Sequence, residues 1–324
     1  DWLIEAAAEY DLVVLPEIHD LYETHRKLSA RGYWTYDFVL PALVLQAFET
    51  GEATRLAAHL ASSPERQFTT LDCHDGVPVR PDLEGILTHA EMSGLAERVL
   101  AEGGNVNRIL GDAGDGPDVH QLNCTYYSAL GADHDRYLAA RAIQLFSRGV
   151  PQLYYVGLLA GENDHEALAR TGEGRSINRH DYTTAEIETA LERPVVQRFL
   201  ELVRLRLEHP AFDGRLEVAA VDSRLRLTWA HGAARAELRV DLGSGELQPG
   251  RIGAEGGAVL VHRVGREGGR EDLSLELTGV VHAEQDDGRS LDADVVRLSA
   301  FLEPSAQPPG GTEETKDEER WQVK

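Results

Sequence analysis

A short apolar run that ends in a charged pair, residues 68–79, limits the possible folds more than any other stretch. It reads FTTLDCHDGVPV, and its first four residues are apolar or β-branched, which favours a buried strand. Gly76 breaks the strand directly after His74 and Asp75. Because α/β barrels place their chemical groups at the carboxyl ends of parallel strands, the pair predicts a site. A turn capped by Asp75, with His74 bonded to backbone, explains the same residues without any function.

A second apolar run, residues 12–20, repeats this arrangement. It reads LVVLPEIHD, so a predicted strand closed by Pro16 is followed at once by Glu17. Two strands that each end in a carboxylate can direct both groups into one pocket. Glycoside chemistry needs such a pair of carboxyl groups, so the two runs together favour a carbohydrate-active site.

Helical and strand patterns alternate along the chain up to about residue 210. This alternation is typical of a parallel sheet with crossover helices, which is an α/β fold. After Pro210 apolar residues recur at every second position, which predicts antiparallel strands in a second, β-rich domain. The predicted helices are residues 1–10, 42–60, 134–147 and about 184–208, the predicted strands are 36–41, 68–73 and 151–157, and residues 105–118 have the pattern of a loop.

The charge balance excludes several classes of partner. The chain has 55 acidic and 32 basic residues, which gives a net charge of −23. A surface of this sign repels nucleic acids and anionic membranes, and no apolar run approaches the roughly 20 residues that span a bilayer. Neither the two cysteines nor the 13 histidines match a zinc-binding spacing, so we expect no metal. Cys73 and Cys124 are expected to be reduced, which favours a cytoplasmic protein.

Six longer motifs give the chain a family resemblance. They are LPEIHD, YDFVLPALVLQA, LDCHDG, DVHQLNCTYYSALG, GVPQLYYVGLLAGEND and EGRSINRHDYT. With these motifs in this order, the chain resembles the sucrose phosphorylase branch of glycoside hydrolase family 13 over roughly residues 1–245. The resemblance implies the second half of a (β/α)8 TIM barrel of the α-amylase clan, followed by a small antiparallel β domain.

The resemblance also implies domain boundaries. The barrel portion would span residues 1–212, with a small excursion at about 80–117, and the β-rich domain would span 213–302. Residues 303–324 are rich in proline, glycine and charge, so we expect them to be disordered.

Three residues match the catalytic side of the family's site. Glu17 matches the general acid/base, which protonates the leaving oxygen and later deprotonates the incoming phosphate. Asp75 matches the carboxylate that holds sugar hydroxyls and stabilises the oxocarbenium-like transition state. His74 matches the histidine that bonds the glucosyl hydroxyls. An exposed glutamate at a strand end and a structural histidine remain the alternatives.

Four residues match the acceptor side. Asp118, His120 and Gln121 lie in PDVHQLN, where sucrose-specific members have tyrosine at the position of His120. Arg175, in EGRSINRH, matches an arginine that meets the acceptor or phosphate, although a salt bridge that fastens a loop is an alternative. A cationic His120 would suit an anionic leaving group, such as fructose 6-phosphate, whereas a neutral His120 would only pack in the loop.

One departure affects the whole interpretation. The family's nucleophile is an aspartate in a GFRLDA-type motif, and the 324 residues contain no such motif. We therefore expect the C-terminal portion of a longer enzyme, inactive by itself, and a monomer or homodimer without metal or organic cofactor. The complete enzyme would transfer α-glucose with retention from sucrose or sucrose 6′-phosphate to inorganic phosphate. The alternatives are a glucosylglycerate-type phosphorylase, a clan hydrolase or transglucosidase, and a truncated, non-catalytic fragment.

Overall fold

The computed structural model describes residues 2–18, 20–79, 86–110, 117–244, 247–248, 257–263 and 274–280. The strands in these residues are β1 Thr35–Asp37, β2 Gln67–Thr69, β3 Val77–Pro78, β4 Asn105–Leu110, β5 Pro117–Asn123, β6 Val150–Pro151, β7 Arg215–Val221, β8 Arg224–His231, β9 Ala234–Asp241, β10 Leu247–Gln248, β11 Gly257–Arg263 and β12 Ser274–Val280. The helices are α1 Trp2–Ala8, α2 Tyr22–Ala30, α3 Leu40–Thr50, α4 Thr54–Ser62, α5 His89–Ala101, α6 Tyr126–Ala129, α7 His134–Phe146, α8 Tyr155–Leu158, α9 His165–Thr171, α10 Thr184–Leu191 and α11 Pro194–Glu208, with 3-10 helices at Gly174–Asn178 and Pro210–Asp213.

A parallel sheet of short strands, in the order β1-β2-β6, carries the site. Tyr36 lies opposite Phe68, and Phe68 lies opposite Val150. The connection from β1 to β2 runs through α3 and α4, because parallel neighbours need a long crossover. The predicted α/β architecture is confirmed here, and the carboxyl end of β2 leads directly to the segment that contains His74 and Asp75.

The helix after β1 is buried along most of its length. Residues 40–48 of α3 are all buried, which explains why all of them except Gln46 are apolar. Pro41 occupies its first turn, where a missing backbone N–H costs nothing. The prediction that Pro41 closes a strand was therefore wrong, because it opens a helix. The predicted helix at 42–60 is two helices, since Gly51 ends α3 with a φ of +68°.

The excursion is an antiparallel sheet in the order β3-β5-β4, with α5 against it. Val77 pairs with Leu122, and Asn105 pairs with Asn123. Thr88 and Glu91 close a capping box at the start of α5. The loop predicted at 105–118 was wrong at both ends, because residues 117–118 begin β5 and residues 105–110 form β4. Its pairing partner lies beyond the glycine-rich segment, so local pattern alone does not reveal the strand.

A second antiparallel sheet, in the order β10-β9-β8-β7, follows the last helix, and β11 pairs with β12. Trp229 on β8 packs toward α7 and donates its indole N–H to the carbonyl of Phe146 over 2.7 Å. The Arg206 guanidinium of α11 lies over the rings of Phe212 and Trp229, at 4.6 and 5.2 Å. The sheet confirms the predicted β-rich region after residue 210. The exact domain boundaries stay predictions, and the predicted tail at 303–324 lies outside the described residues.

Three further predicted strands differ from the structure. The strand predicted at 68–73 ends at Thr69, the last residue of β2. Residues 12–15 form no strand: Leu12 and Val13 are exposed, and one backbone bond, Trp34 N to Val14 O at 3.3 Å, links the run to the start of β1. The strand predicted at 151–157 ends at Pro151, since β6 covers only two residues. The chain then turns into α8, where the Leu158 N–H donates to the carbonyl of Tyr154 over 2.8 Å.

Candidate active site

A tight turn after β2 holds His74 and Asp75 at its tip. The Cys73 N–H donates to the Gly76 carbonyl over 2.8 Å, and the Gly76 N–H returns to the Cys73 carbonyl over 2.9 Å. Gly76 has a φ of +99°, and a Cβ at this position would lie 2.4 Å from the carbonyl oxygen of Leu122. Only glycine therefore lets the turn approach β5 this closely.

The carboxylate of Asp75 is the centre of a polar cluster. Its Oδ1 accepts from Arg175 Nη1 at 2.7 Å and from Arg179 Nη2 at 3.2 Å. Its Oδ2 accepts from Gln121 Nε2 at 3.2 Å, and His74 Nε2 lies 3.5 Å from Oδ1. Burial alone would raise the pKa of Asp75, but the Arg175 hydrogen bond and the nearby positive charges outweigh it, so the pKa lies below its usual range.

The 3-10 helix Gly174–Asn178 holds this turn from the opposite side. Asn178 Nδ2 donates to the His74 carbonyl over 3.0 Å, and Arg179 Nε donates to the same carbonyl over 2.7 Å. On the side of β5, Asn123 Nδ2 donates to the carbonyl of Asp75 over 2.9 Å. Sequence reasoning missed Arg179, Asn178 and Asn123. Arg179 had one available signal, because it repeats Arg175 four residues later in the same motif.

Glu17 lies on the exposed segment between α1 and α2. Burial is the largest cause of the raised pKa of the Cys73 thiol, to about 11, and the carboxylates of Asp75, Asp72 and Glu17 add to it. Glu17 also helps to raise the pKa of Tyr36, after burial. The carboxylates of Glu17 and Asp75 are therefore both within electrostatic reach of the Cys73 side chain.

The remaining predicted residues lie on β5. Gln121 is buried and reaches Asp75, as given above. Asp118 and His120 belong to the same strand, and Asp118 pairs with Ile109, but their side chains lie outside what the structure describes. The structure thus brings His74, Asp75, Gln121 and Arg175 together by direct contacts.

A buried ion pair stands behind the turn. Arg141 of α7 donates from Nη2 to Asp72 Oδ2 over 2.7 Å, and neither side chain is more than 3% exposed. Arg141 also donates from Nε to the hydroxyl of Tyr137 and from Nη1 to Gln144 Oε1, at 2.9 and 3.0 Å. The pair fixes the strand end that leads into the turn.

The cluster can bind both neutral and anionic oxygen groups. Asp75 stays ionised, so it can accept hydrogen bonds from hydroxyl groups or stabilise a positive charge. The His74 side chain is 65% exposed and the Arg175 side chain 43%, so both are accessible to a ligand. In the part of the chain that the structure describes, no group of side chains is arranged to hold a metal ion. None of the helices described there is long and apolar enough to cross a membrane.

Several known proteins are similar to the chain in sequence. No protein-family profile matches it. Over 246 residues it is 47% identical to the sucrose 6(F)-phosphate phosphorylase of Thermoanaerobacterium thermosaccharolyticum, covering 75% of the chain and 50% of the relative. Over 255 residues it is 43% identical to the sucrose phosphorylase of Agrobacterium vitis, covering 75% of the chain and 52% of the relative. The chain is a homologue of the sucrose phosphorylases. It is also 40% identical over 245 residues to the glucosylglycerol phosphorylase of Marinobacter adhaerens, covering 75% and 51%.

A solved structure supports the same relationship. The crystal structure of sucrose 6F-phosphate phosphorylase from Thermoanaerobacter thermosaccharolyticum matches with a TM-score of 0.73 at 42% identity, covering 85% of this chain and 55% of that one. This chain therefore has the fold predicted from its sequence, which is part of a TIM barrel followed by an antiparallel β domain. It spans about half the length of the curated relatives it matches.

Proposed function

We propose that the protein takes part in retaining α-glucosyl transfer from a sucrose-type donor to inorganic phosphate, giving α-glucose 1-phosphate. The observation that carries this proposal is the ionised Asp75, held between two arginines and Gln121 beside an exposed His74. A carboxylate kept ionised in this way suits an oxocarbenium-like transition state, because it offers fixed negative charge where positive charge develops.

Each side chain has a defined task in this proposal. Glu17 is the general acid that protonates the departing oxygen and then the base that takes a proton from phosphate. Asp75 and His74 hold the glucosyl hydroxyl groups. Arg175 binds the anionic acceptor, since a guanidinium can contact two phosphate oxygens at once.

The nucleophile has to come from outside these 324 residues. Retaining transfer requires a second carboxyl group about 5–5.5 Å from the acid. The family's motif for this group does not occur in the sequence. The activity therefore belongs to a longer gene product that supplies the nucleophilic carboxyl group. We propose that the 324 residues alone do not turn over sucrose.

The identity of the leaving group depends on His120. This residue lies on β5, directly before Gln121, which contacts Asp75. A cationic imidazole there would favour a phosphorylated leaving group, so we propose fructose 6-phosphate as the product from sucrose 6′-phosphate. The similarity to a sucrose 6(F)-phosphate phosphorylase supports this choice of donor. The similarity to a glucosylglycerol phosphorylase makes a small polyol the second candidate for the leaving group.

The test compares phosphate-dependent release of glucose 1-phosphate from sucrose and from sucrose 6′-phosphate. It uses the complete gene product, its His120→Tyr variant, and His231→Tyr in the remote antiparallel sheet as the matched control. We expect sucrose 6′-phosphate to have the higher kcat/KM, and His120→Tyr alone to shift the ratio toward sucrose. A higher kcat/KM on plain sucrose, or a ratio that His120→Tyr leaves unchanged, contradicts the assignment of the donor. Release of glucose without phosphate would instead indicate a hydrolase.

A further inference from the structure

We propose that His180 is a positioning residue: as a cation between two carboxylates, it fixes the segment that carries Arg175 and Arg179 against Asp75. The effect of this role on catalysis rests on the function proposed above. The effect of His180 on how rigidly the segment is held does not.

Both ring nitrogens of His180 face an acid. Nδ1 lies 2.6 Å from Asp164 Oδ2, and Nε2 lies 3.5 Å from Glu186 Oε1. A neutral imidazole carries a proton on only one nitrogen, so it can donate to only one of these carboxylates. The imidazolium donates to Asp164 and places its positive charge beside Glu186, so the geometry favours the charged form.

The two carboxylates each cap a different helix. Asp164 accepts from the Ala167 N–H over 2.7 Å at the start of α9. Glu186 closes the capping box of α10 by accepting from the Thr183 N–H over 2.7 Å. His180 therefore joins the first turns of α9 and α10. The chain between these turns contains the 3-10 helix that holds the active-site turn.

The backbone of His180 is also fixed next to the site. Its carbonyl accepts from the Tyr155 hydroxyl over 2.8 Å, and its ring packs edge-on against Tyr182 with centroids 4.5 Å apart. The residue directly before it is Arg179, which donates to the His74 carbonyl and contacts Asp75. A shift of His180 therefore moves Arg179 relative to Asp75.

The charges around His180 set the pH range in which the contact works. Burial lowers the pKa of His180, but Asp164 and Glu186 outweigh it and raise the pKa above its usual value. Among the other titratable or charged groups in the described residues, Arg170 acts on Asp164, and Tyr182 packs against the ring. Asp181, Arg179 and Arg193 act on the flanking tyrosines, Tyr155 and Tyr182. Asp164 and Glu186 both have lowered pKa values. Burial raises the pKa of Asp164, but the Ala167 N–H and His180 outweigh it, and the Thr183 N–H is the main cause for Glu186.

The sign of the pH effect follows from these directions. A raised histidine pKa stabilises the folded segment fully below about pH 6.5 and stops doing so as the pH rises through the folded value. The lowered carboxyl values stabilise it above about pH 4 and stop doing so as the pH falls through them. The contact is therefore strongest from about pH 4 to about pH 6.5, and it weakens on the alkaline side.

The first test measures backbone amide exchange of residues 164–183 in the 324-residue chain as a function of pH. After correction for the intrinsic exchange rate, we expect the wild type to lose protection above neutral pH. The loss should approach roughly tenfold for each unit by which the folded pKa of His180 exceeds its unfolded value. His180→Gln should be poorly protected at every pH, and His180→Arg, with a permanent cation, should be protected at every pH. His231→Gln in the antiparallel sheet serves as the control and should follow the wild type.

A milder variant keeps the test informative if His180→Gln does not fold. Glu186→Gln preserves the capping box, since glutamine can take the same position, and removes only the negative charge. We expect it to lower the pH at which protection is lost. Protection that depends on pH equally in the wild type and in the His180 and Glu186 variants would overturn the proposal.

The second test measures phosphorolysis by the complete gene product. The KM for phosphate should rise above neutral pH in the wild type, be high throughout in His180→Gln, and lose this pH dependence in His180→Arg. If no variant shows phosphorolysis but exchange responds as expected, the proposed function fails and the positioning role stands. If phosphorolysis occurs and neither exchange nor the KM responds to His180, the positioning role fails and the proposed function stands.

Discussion

The glycine that closes the active-site turn gives the sharpest test of the packing. We consider Gly76→Ala. The added methyl group would lie 2.4 Å from the carbonyl oxygen of Leu122 and 3.0 Å from Cα of Asn123. Both are backbone atoms of β5, and Leu122 pairs with Val77, so they cannot move away without breaking the ladder.

The magnitude follows from two separate costs. A left-handed backbone conformation costs an alanine about 1–2 kcal/mol relative to glycine. Forcing an extra methyl group into packed surroundings costs about 1–3 kcal/mol. We therefore expect Gly76→Ala to lower the free energy of unfolding by roughly 2–5 kcal/mol. Gly131→Ala is the matched control, because Gly131 has a φ of +72° with no atom within 4 Å of the added Cβ. It should lose only the first contribution, about 1–2 kcal/mol.

The measurement is urea unfolding of both variants and of the wild type. Equal slopes m in the three proteins would confirm that the variants unfold in the same two-state transition and differ only in stability. If Gly76→Ala is no less stable than Gly131→Ala, within about 0.5 kcal/mol, the close approach of the turn to β5 is wrong.

Three further predictions concern the charged groups around the turn. Arg141→Met should destabilise the chain by about 3–5 kcal/mol, since it leaves the Asp72 carboxylate buried without its cation. In a double-mutant cycle measured by urea unfolding, adding Asp72→Asn should recover part of this loss. If the two substitutions have additive effects on stability, the pairing is contradicted. Because the pKa of Asp75 is lowered, its contribution to stability should persist above about pH 4 and disappear as the pH falls through the lowered value; in acid titrations Asp75→Asn should lack this step, and an identical acid transition would argue against it. In the complete gene product, Glu17→Gln should abolish turnover of sucrose but spare glucosylation from glucosyl fluoride, whose leaving group needs no proton; equal loss on both donors would show that Glu17 is not the acid.

The sequence was sufficient wherever the determining interactions are local. The helical spacing at residues 134–147 corresponds to α7, and the helical pattern at about 184–208 corresponds to α10 and α11, where Pro194 occupies the first turn of α11. The motif around His74 and Asp75 predicted the turn after β2, since strand-breaking residues follow an apolar run at once.

Other features depend on partners far along the chain, and local patterns could not reveal them. The strand β4 exists because it pairs with β5 across a glycine-rich segment. Arg179 contacts Asp75, 104 residues earlier in the chain, so the repeat of Arg175 within the motif marks Arg179 but not its partner. The apolar residues 12–15 read as a buried strand, but Leu12 and Val13 are exposed, since a pattern shows that side chains are apolar and not what covers them.

The contact between α11 and the antiparallel sheet has a consequence for how the chain comes apart. Arg206 rests on Phe212 and Trp229, and Trp229 in turn donates to the carbonyl at the end of α7. Aromatic packing, a cation over two rings and a buried hydrogen bond thus cross the boundary together. Neither side can lose its structure without exposing these groups to water. The sheet and the helices beneath it are therefore expected to form one cooperative unit, so that a single melting transition covers both and deletion of the sheet destabilises the part that carries the site.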